Sequence, residues 1–111
     1  GAGNGGRRLD ALEAAAYEQL WGAGGASPRI TSLKGATGEI FASGGIRAAA
    51  LALSIEEGIV PPVAGLTTPL SSLPFVVGTA ERRPVNRALL SGISFGGTYA
   101  CLVFTAPPRA D

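Results

Sequence analysis

The sequence predicts a layered α/β domain, and three observations carry that prediction. An apolar stripe of helical period runs from Leu9 to Trp21. A second, longer stretch ending before Gly58 is apolar almost all round. Short runs of branched and aromatic residues follow, separated by glycines and prolines. The resulting order of helix, strand, helix and then strands suits helices packed on a sheet. Two helices and three or four short strands make a thin domain, so the fold is expected to be incomplete on its own.

Each element has a local reason. Gly1–Arg8 is glycine-rich and basic and reads as a loop. In Leu9–Trp21, Leu9, Leu12, Ala16 and Leu20 recur at spacings of three and four and define the expected buried face. Gly22–Pro28 supplies glycines and a proline that end the helix. Ile30–Leu33 is a short strand candidate. Thr37 is the expected N-cap of a helix running to Glu57, with Gly58 as its C′ residue. Ile40, Phe41, Ile46, Ala48, Leu51, Leu53 and Ile55 surround this helix with apolar surface, so burial on several sides is expected. Gly44 and Gly45 each cost it about 1 kcal/mol relative to alanine, which predicts another backbone in close contact there. Pro61 and Pro62 forbid its continuation. Pro69–Pro74 reads as loop, Phe75–Val77 as a strand, Ala80–Arg87 as a charged exposed turn. Ala88–Ile93 and Tyr99–Thr105 read as strands, and residues 106–111 as a tail.

Composition narrows the function. The net charge of +1 gives no polyanion-binding signal, so no nucleic-acid partner is expected. Only 15% of residues are charged, below the usual quarter, and part of this surface is expected to be covered by another segment or chain. The single Cys101 excludes an internal disulfide and a multi-cysteine zinc site. No cofactor and no metal are expected. No apolar run approaches the roughly 18 residues of a membrane helix and no signal-peptide pattern is visible, so no membrane span and a cytoplasmic location are expected. The sequence contains no methionine, which suggests a cleaved product or part of a longer polypeptide.

Residues 30–45 read Ile-Thr-Ser-Leu-Lys-Gly-Ala-Thr-Gly-Glu-Ile-Phe-Ala-Ser-Gly-Gly. This stretch resembles the Lys-Ser-x-x-Gly-His segment of the β-ketoacyl synthases, the thiolase-like condensing enzymes of fatty acid and polyketide assembly. Lys34, Thr37, Gly38 and Gly45 match, and Gly58-Ile59-Val60-Pro61-Pro62 resembles the family's exit from the following helix. Ser94–Phe104 is similar to the family's Gly-Phe-Gly-Gly-Thr-Asn loop and final strand, with Tyr99 at the asparagine. Asp10, Glu13 and Ala14 resemble, more weakly, the helix after the His-Gly-Thr-Gly-Thr segment. The resemblance covers the whole chain and implies the C-terminal half of a thiolase-like layered α/β fold.

The same resemblance implies a damaged catalytic site. The family uses a cysteine, outside this stretch, and two histidines that donate hydrogen bonds to a thioester carbonyl as it becomes an enolate. Alignment from Asp10 places one histidine near Ala2 and the other at Glu39, and the chain has no histidine at all. Loss of one such donor typically costs about 10²–10³ in rate, and a carboxylate also repels the developing charge. Glu39 is therefore expected to pair with Lys34 or to sit at a helix N-terminus, against the alternative of a residual acid or base. Lys34 is at the family lysine, as holder of Glu39 or as organiser of charge in the site. Phe95, Gly96, Gly97 and Thr98 are at the family's acyl-gating loop, against an ordinary glycine turn. Arg82, Arg83 and Arg87 could meet the acidic surface of an acyl carrier protein, against a solvated turn; Arg7 and Arg8 form a second basic pair. Cys101 is expected to be a buried structural thiol.

These expectations converge on a ketosynthase-like subunit of the chain-length-factor type. It would pair with the N-terminal portion of the same protein and, as a heterodimer, with an active ketosynthase, and would shape the acyl cavity without condensing. The alternatives are the C-terminal part of an active β-ketoacyl synthase and an unrelated small α/β binding module.

Overall fold

The computed structural model describes residues 1–22 and 27–110. Helix α1 spans Arg7–Trp21, the single turn α2 spans Lys34–Thr37, and helix α3 spans Ser43–Glu57. Strands β1 (Ile59–Val60) and β2 (Glu81–Arg82) form a short antiparallel pair, and β3 (Arg87–Ile93) and β4 (Tyr99–Thr105) a seven-residue hairpin. The mixed α/β class agrees with the sequence reading, while the strand expected between the two long helices is reduced to a single bridge. Part of the Gly22–Pro28 helix stop lies outside the described residues, as does the last residue of the tail.

The hairpin is the best-formed sheet. Its register pairs Arg87 with Thr105, Ser91 with Cys101, and Ile93 with Tyr99. The connection is a 3₁₀ turn, Phe95–Gly97, in which Gly96 and Gly97 adopt φ of 83° and 84°, values that glycine tolerates without a Cβ penalty. Ile30 and Phe75 form a single parallel bridge. The expected strands at Ile30–Leu33 and Phe75–Val77 shrink to this bridge because Val76 turns between two partners, donating to Ile30 O at 2.9 Å and accepting from Val63 N at 2.9 Å. Part of the expected turn at Ala80–Arg87 is instead the strand β2, drawn against β1.

The long helix begins at Ser43 and not after Thr37. Gly38 takes φ 79°, which stops α2, and its N–H donates to Lys34 O at 2.9 Å. The Thr37 hydroxyl turns back to Leu33 O at 3.2 Å and so does not cap the next helix. The other end is as expected: Gly58, at φ 62°, is left-handed and donates to Ser54 O.

The buried faces differ from those the hydropathy pattern indicates. On α1 the buried residues are Glu13, Ala14 and Tyr17, while Leu12 and Leu20 are 62% and 70% exposed. On α3 the buried residues are Ser43 and Arg47, and Ile46 and Leu53 are exposed. Apart from the adjoining residues of the helix itself, no described atom approaches within 4 Å of where a Cβ would sit on Gly44 or Gly45, so the close backbone expected there is not supplied by the described residues. The exterior of β4 is likewise apolar, with Leu102 and Val103 exposed. Both charged residues are inside because hydrogen-bonding partners await them there, and the aliphatic residues outside have no described cover. Among the described residues, no helix is long and apolar enough to cross a membrane.

A Cβ at residue 58 would lie 3.1 Å from Arg83 O, in addition to the strain of the left-handed conformation. Gly58→Ala is therefore expected to destabilise the protein by about 1 kcal/mol or more. Chemical denaturation should show a lower midpoint at an unchanged slope.

Candidate functional site

Glu13 is the centre of a buried polar network. Its Oε1 accepts from Ala2 N at 2.7 Å, from the Tyr17 hydroxyl at 2.6 Å and from Ser91 Oγ at 3.1 Å. These donors belong to the N-terminal loop, to α1 itself and to β3. One carboxylate oxygen thus joins three elements. Asp10, one turn earlier, accepts from Asn4 N at 3.0 Å and Gly5 N at 3.1 Å. Ser32 Oγ donates to Gly3 O at 2.9 Å. The loop from Gly1 to Gly6 is therefore held from below by the two acids of α1 and from the side by the segment before α2. Burial pushes the Glu13 carboxyl up, but the hydrogen bonds from Ala2, Tyr17 and Ser91, with nearby positive charge, outweigh it and hold the group below 4.5. Burial and the neighbouring Glu13 carboxylate push the Tyr17 phenol up.

Lys34 connects this platform to Glu39. Its Nζ donates to Ala2 O at 2.9 Å and to Glu39 Oε1 at 3.0 Å. The resemblance places one histidine near Ala2 and the other at Glu39, and one ammonium touches both of these residues. Glu39 itself is exposed, and the hydrogen bond and charge of Lys34 hold its carboxyl below the usual value. It is an anion at neutral pH and can only accept hydrogen bonds. Of the two expectations for Glu39, the ion pair is met and the helix N-terminus is not, since α3 starts at Ser43.

The expected gating loop lies close by. The Phe95 ring packs at a tilt on Phe41, with centroids 6.4 Å apart, and the two side chains are 91% and 99% exposed. Phe41 follows Glu39 by two residues, so the aromatic pair and the carboxylate share one margin of the molecule. Ser94 N donates to Thr98 O at 2.8 Å and closes the loop beneath Phe95. A cavity of about 300 Å³ adjoins the other side of Lys34, between Asp10 and Glu13 on one wall and Leu66, Leu70 and Phe75 on the other.

Cys101 is exposed, not buried. It lies on the outer strand of the hairpin, and its thiol contacts the Tyr99 hydroxyl at 3.3 Å. Tyr99 in turn contacts Ser91 Oγ at 3.3 Å. The expected arginine cluster is divided. Arg82 is in β2, Arg87 opens β3, and Arg83 lies 4.0 Å from Glu81, which also pairs with Arg29. Arg47 escaped sequence reasoning because an arginine among alanines and leucines reads as a solvated position.

Glu13 sets the clearest test of this arrangement. Because folding depresses its pKa, its contribution is full above about pH 4.5 and is lost as pH falls through the lower folded value. Glu39 acts in the same sense, weakly because it is exposed. Glu13→Ala is expected to cost about 3 kcal/mol or more, since it strands three donors. Glu13→Gln should cost less and flatten the acid limb of stability measured by denaturant titration from pH 3 to 7.

The chain matches the model of the β-ketoacyl synthase C-terminal domain over residues 1–67. It is 34% identical over 111 residues to a protein of Streptomyces virginiae named as a polyketide beta-ketoacyl synthase, covering 97% of this chain and 26% of that one. It is 32% identical to the tetracenomycin polyketide synthase ketoacyl synthase alpha subunit of Streptomyces glaucescens, covering 95% and 25%. It is 34% identical to 3-oxoacyl-[acyl-carrier-protein] synthase 2 of Rhizobium meliloti, covering 85% and 23%. The chain thus spans about a quarter of the length of these curated relatives. No solved structure gives a significant match. The chain belongs to the β-ketoacyl synthase family, as a C-terminal portion of the ketosynthase fold.

Proposed function

We propose that this chain is part of a non-condensing ketosynthase-like subunit of the chain-length-factor type. In this reading it pairs with the N-terminal portion of its own protein and with an active ketosynthase, and its aromatic margin walls an acyl cavity. The observation that carries the reading is the Lys34–Glu39 ion pair. At a position where the family has a proton donor, this chain holds an ionised carboxylate whose lysine lowers its pKa further. An enolate forming there meets the Glu39 carboxylate where the family presents an imidazole donor. Ala2 offers no side-chain donor at the other position. An unrelated binding module is set aside by the family match.

The names of the relatives favour a second reading. Several are called synthases, and one is an alpha subunit. By that reading the whole protein condenses acyl thioesters through a rebuilt site. The residue at the nucleophile turn of the native-length protein separates the two, with cysteine favouring the enzyme.

Elongation of a carrier-bound acyl group by the purified native-length protein tests the proposal directly. The parent alone is expected to be inactive, at least about a hundredfold below an intact ketosynthase, and to alter product length when mixed with one. Elongation by the parent that disappears in Glu39→Gln would overturn it.

The carrier-protein contact is proposed for Arg82, Arg83 and Arg87. Support comes from their exposure over a short stretch of chain, at the end of β2 and the start of β3, and from the fit of guanidinium groups to phosphate and acidic surfaces. Reversal of Arg82 and Arg83 to glutamate should weaken acyl carrier protein binding about tenfold or more in low salt. Unchanged binding would remove these residues from the interface.

A further inference from the structure

A second cavity, of about 250 Å³, lies away from Glu39 between α1, α3 and β3. Its walls are largely apolar and include Tyr17, Trp21, Leu51 and Leu90. Arg47 lines it as well and is only 7% exposed. Both hydrogen bonds of Arg47 leave from one terminal nitrogen, to Gly1 O and Ser91 O. Its other N–H groups make no hydrogen bond to the described residues. A guanidinium has five donors in a planar fork, and a buried charge is costly unless it is paired and hydrogen-bonded. Arg29, Arg83 and Arg87 also border the cavity, and no aspartate or glutamate lines it.

A cavity with apolar walls and an under-used guanidinium has the chemistry of a carboxylate site. We propose that it binds a small carboxylate with an aliphatic tail. The headgroup accepts from Arg47, and the tail lies against Leu51 and Leu90. The apolar lining favours this over a free inorganic anion, which would leave those walls unfilled. The volume lies just below the usual range for small-molecule pockets, about 300–1,000 Å³, which selects a short chain. This site does not involve Glu39, and it shares Arg83 and Arg87 with the proposed carrier contact.

Calorimetric titration of the native-length protein with octanoate, octanol and phosphopantetheine tests the assignment. Octanoate is expected to bind, and octanol to bind at least tenfold more weakly. Arg47→Met, which keeps the stem and removes the charge, should weaken octanoate about ten- to hundredfold, as loss of a charged hydrogen bond does. Leu51→Phe, which fills the cavity and keeps the arginine, should also weaken it. Equal binding of octanoate and octanol, or no binding of octanoate by the parent, overturns the proposal. So does phosphopantetheine binding that excludes octanoate, which would assign the arginines to the carrier. The comparison on the parent decides the matter even if both variants fail to fold.

Discussion

One carboxylate oxygen organises this structure. Glu13 Oε1 receives donors from the N-terminal loop, from Tyr17 on its own helix and from Ser91 on the hairpin. The loop's position relative to Lys34 depends on that junction, because the Ala2 amide is held by Glu13 while the Ala2 carbonyl is held by Lys34. Lys34 then reaches Glu39. The path from the interior to the exposed Glu39 is thus a short series of charge-assisted hydrogen bonds. Bonds of this kind are shorter and stronger than neutral ones, which suits a site whose small hydrophobic core could not position it by packing alone.

This dependence explains which parts were legible in the sequence. Motifs that rest on backbone necessity were: Gly58 as a left-handed terminus, Gly96 and Gly97 in the loop, the prolines after α3, and the two strands either side of that glycine loop. So was the proximity of Lys34 and Glu39, because five residues separate them across a glycine turn. The burial pattern was not. Hydropathy places Leu12 and Leu20 inside and Glu13 outside, and the structure does the reverse. A carboxylate enters the interior only if donors wait there, and those donors are 11 and 78 residues away in the chain. Arg47 is the same case, buried by carbonyls of Gly1 and Ser91 that no local pattern reveals. The start of α3 was misplaced for a different reason. Thr37 has good capping chemistry, but the positive φ of Gly38 breaks the backbone first.

The proposed loss of condensing chemistry is an electrostatic matter. In that proposal a carboxylate stands in place of an imidazole donor, and Lys34 keeps it ionised while partly offsetting its charge. The surrounding surface stays suited to an apolar chain: Phe41 and Phe95 form a tilted pair at the margin of the site.

The outer hairpin strand has a consequence for the isolated polypeptide. β4 hydrogen-bonds to β3 along one side only among the described strands, and Leu102 and Val103 stand exposed on it. Its seven residues, Tyr-Ala-Cys-Leu-Val-Phe-Thr, carry no charge and no proline. Such an edge is a template for intermolecular strand addition. Handled without a covering segment, this chain has a built-in route to self-association, and the nearby free thiol adds an oxidative cross-link to it.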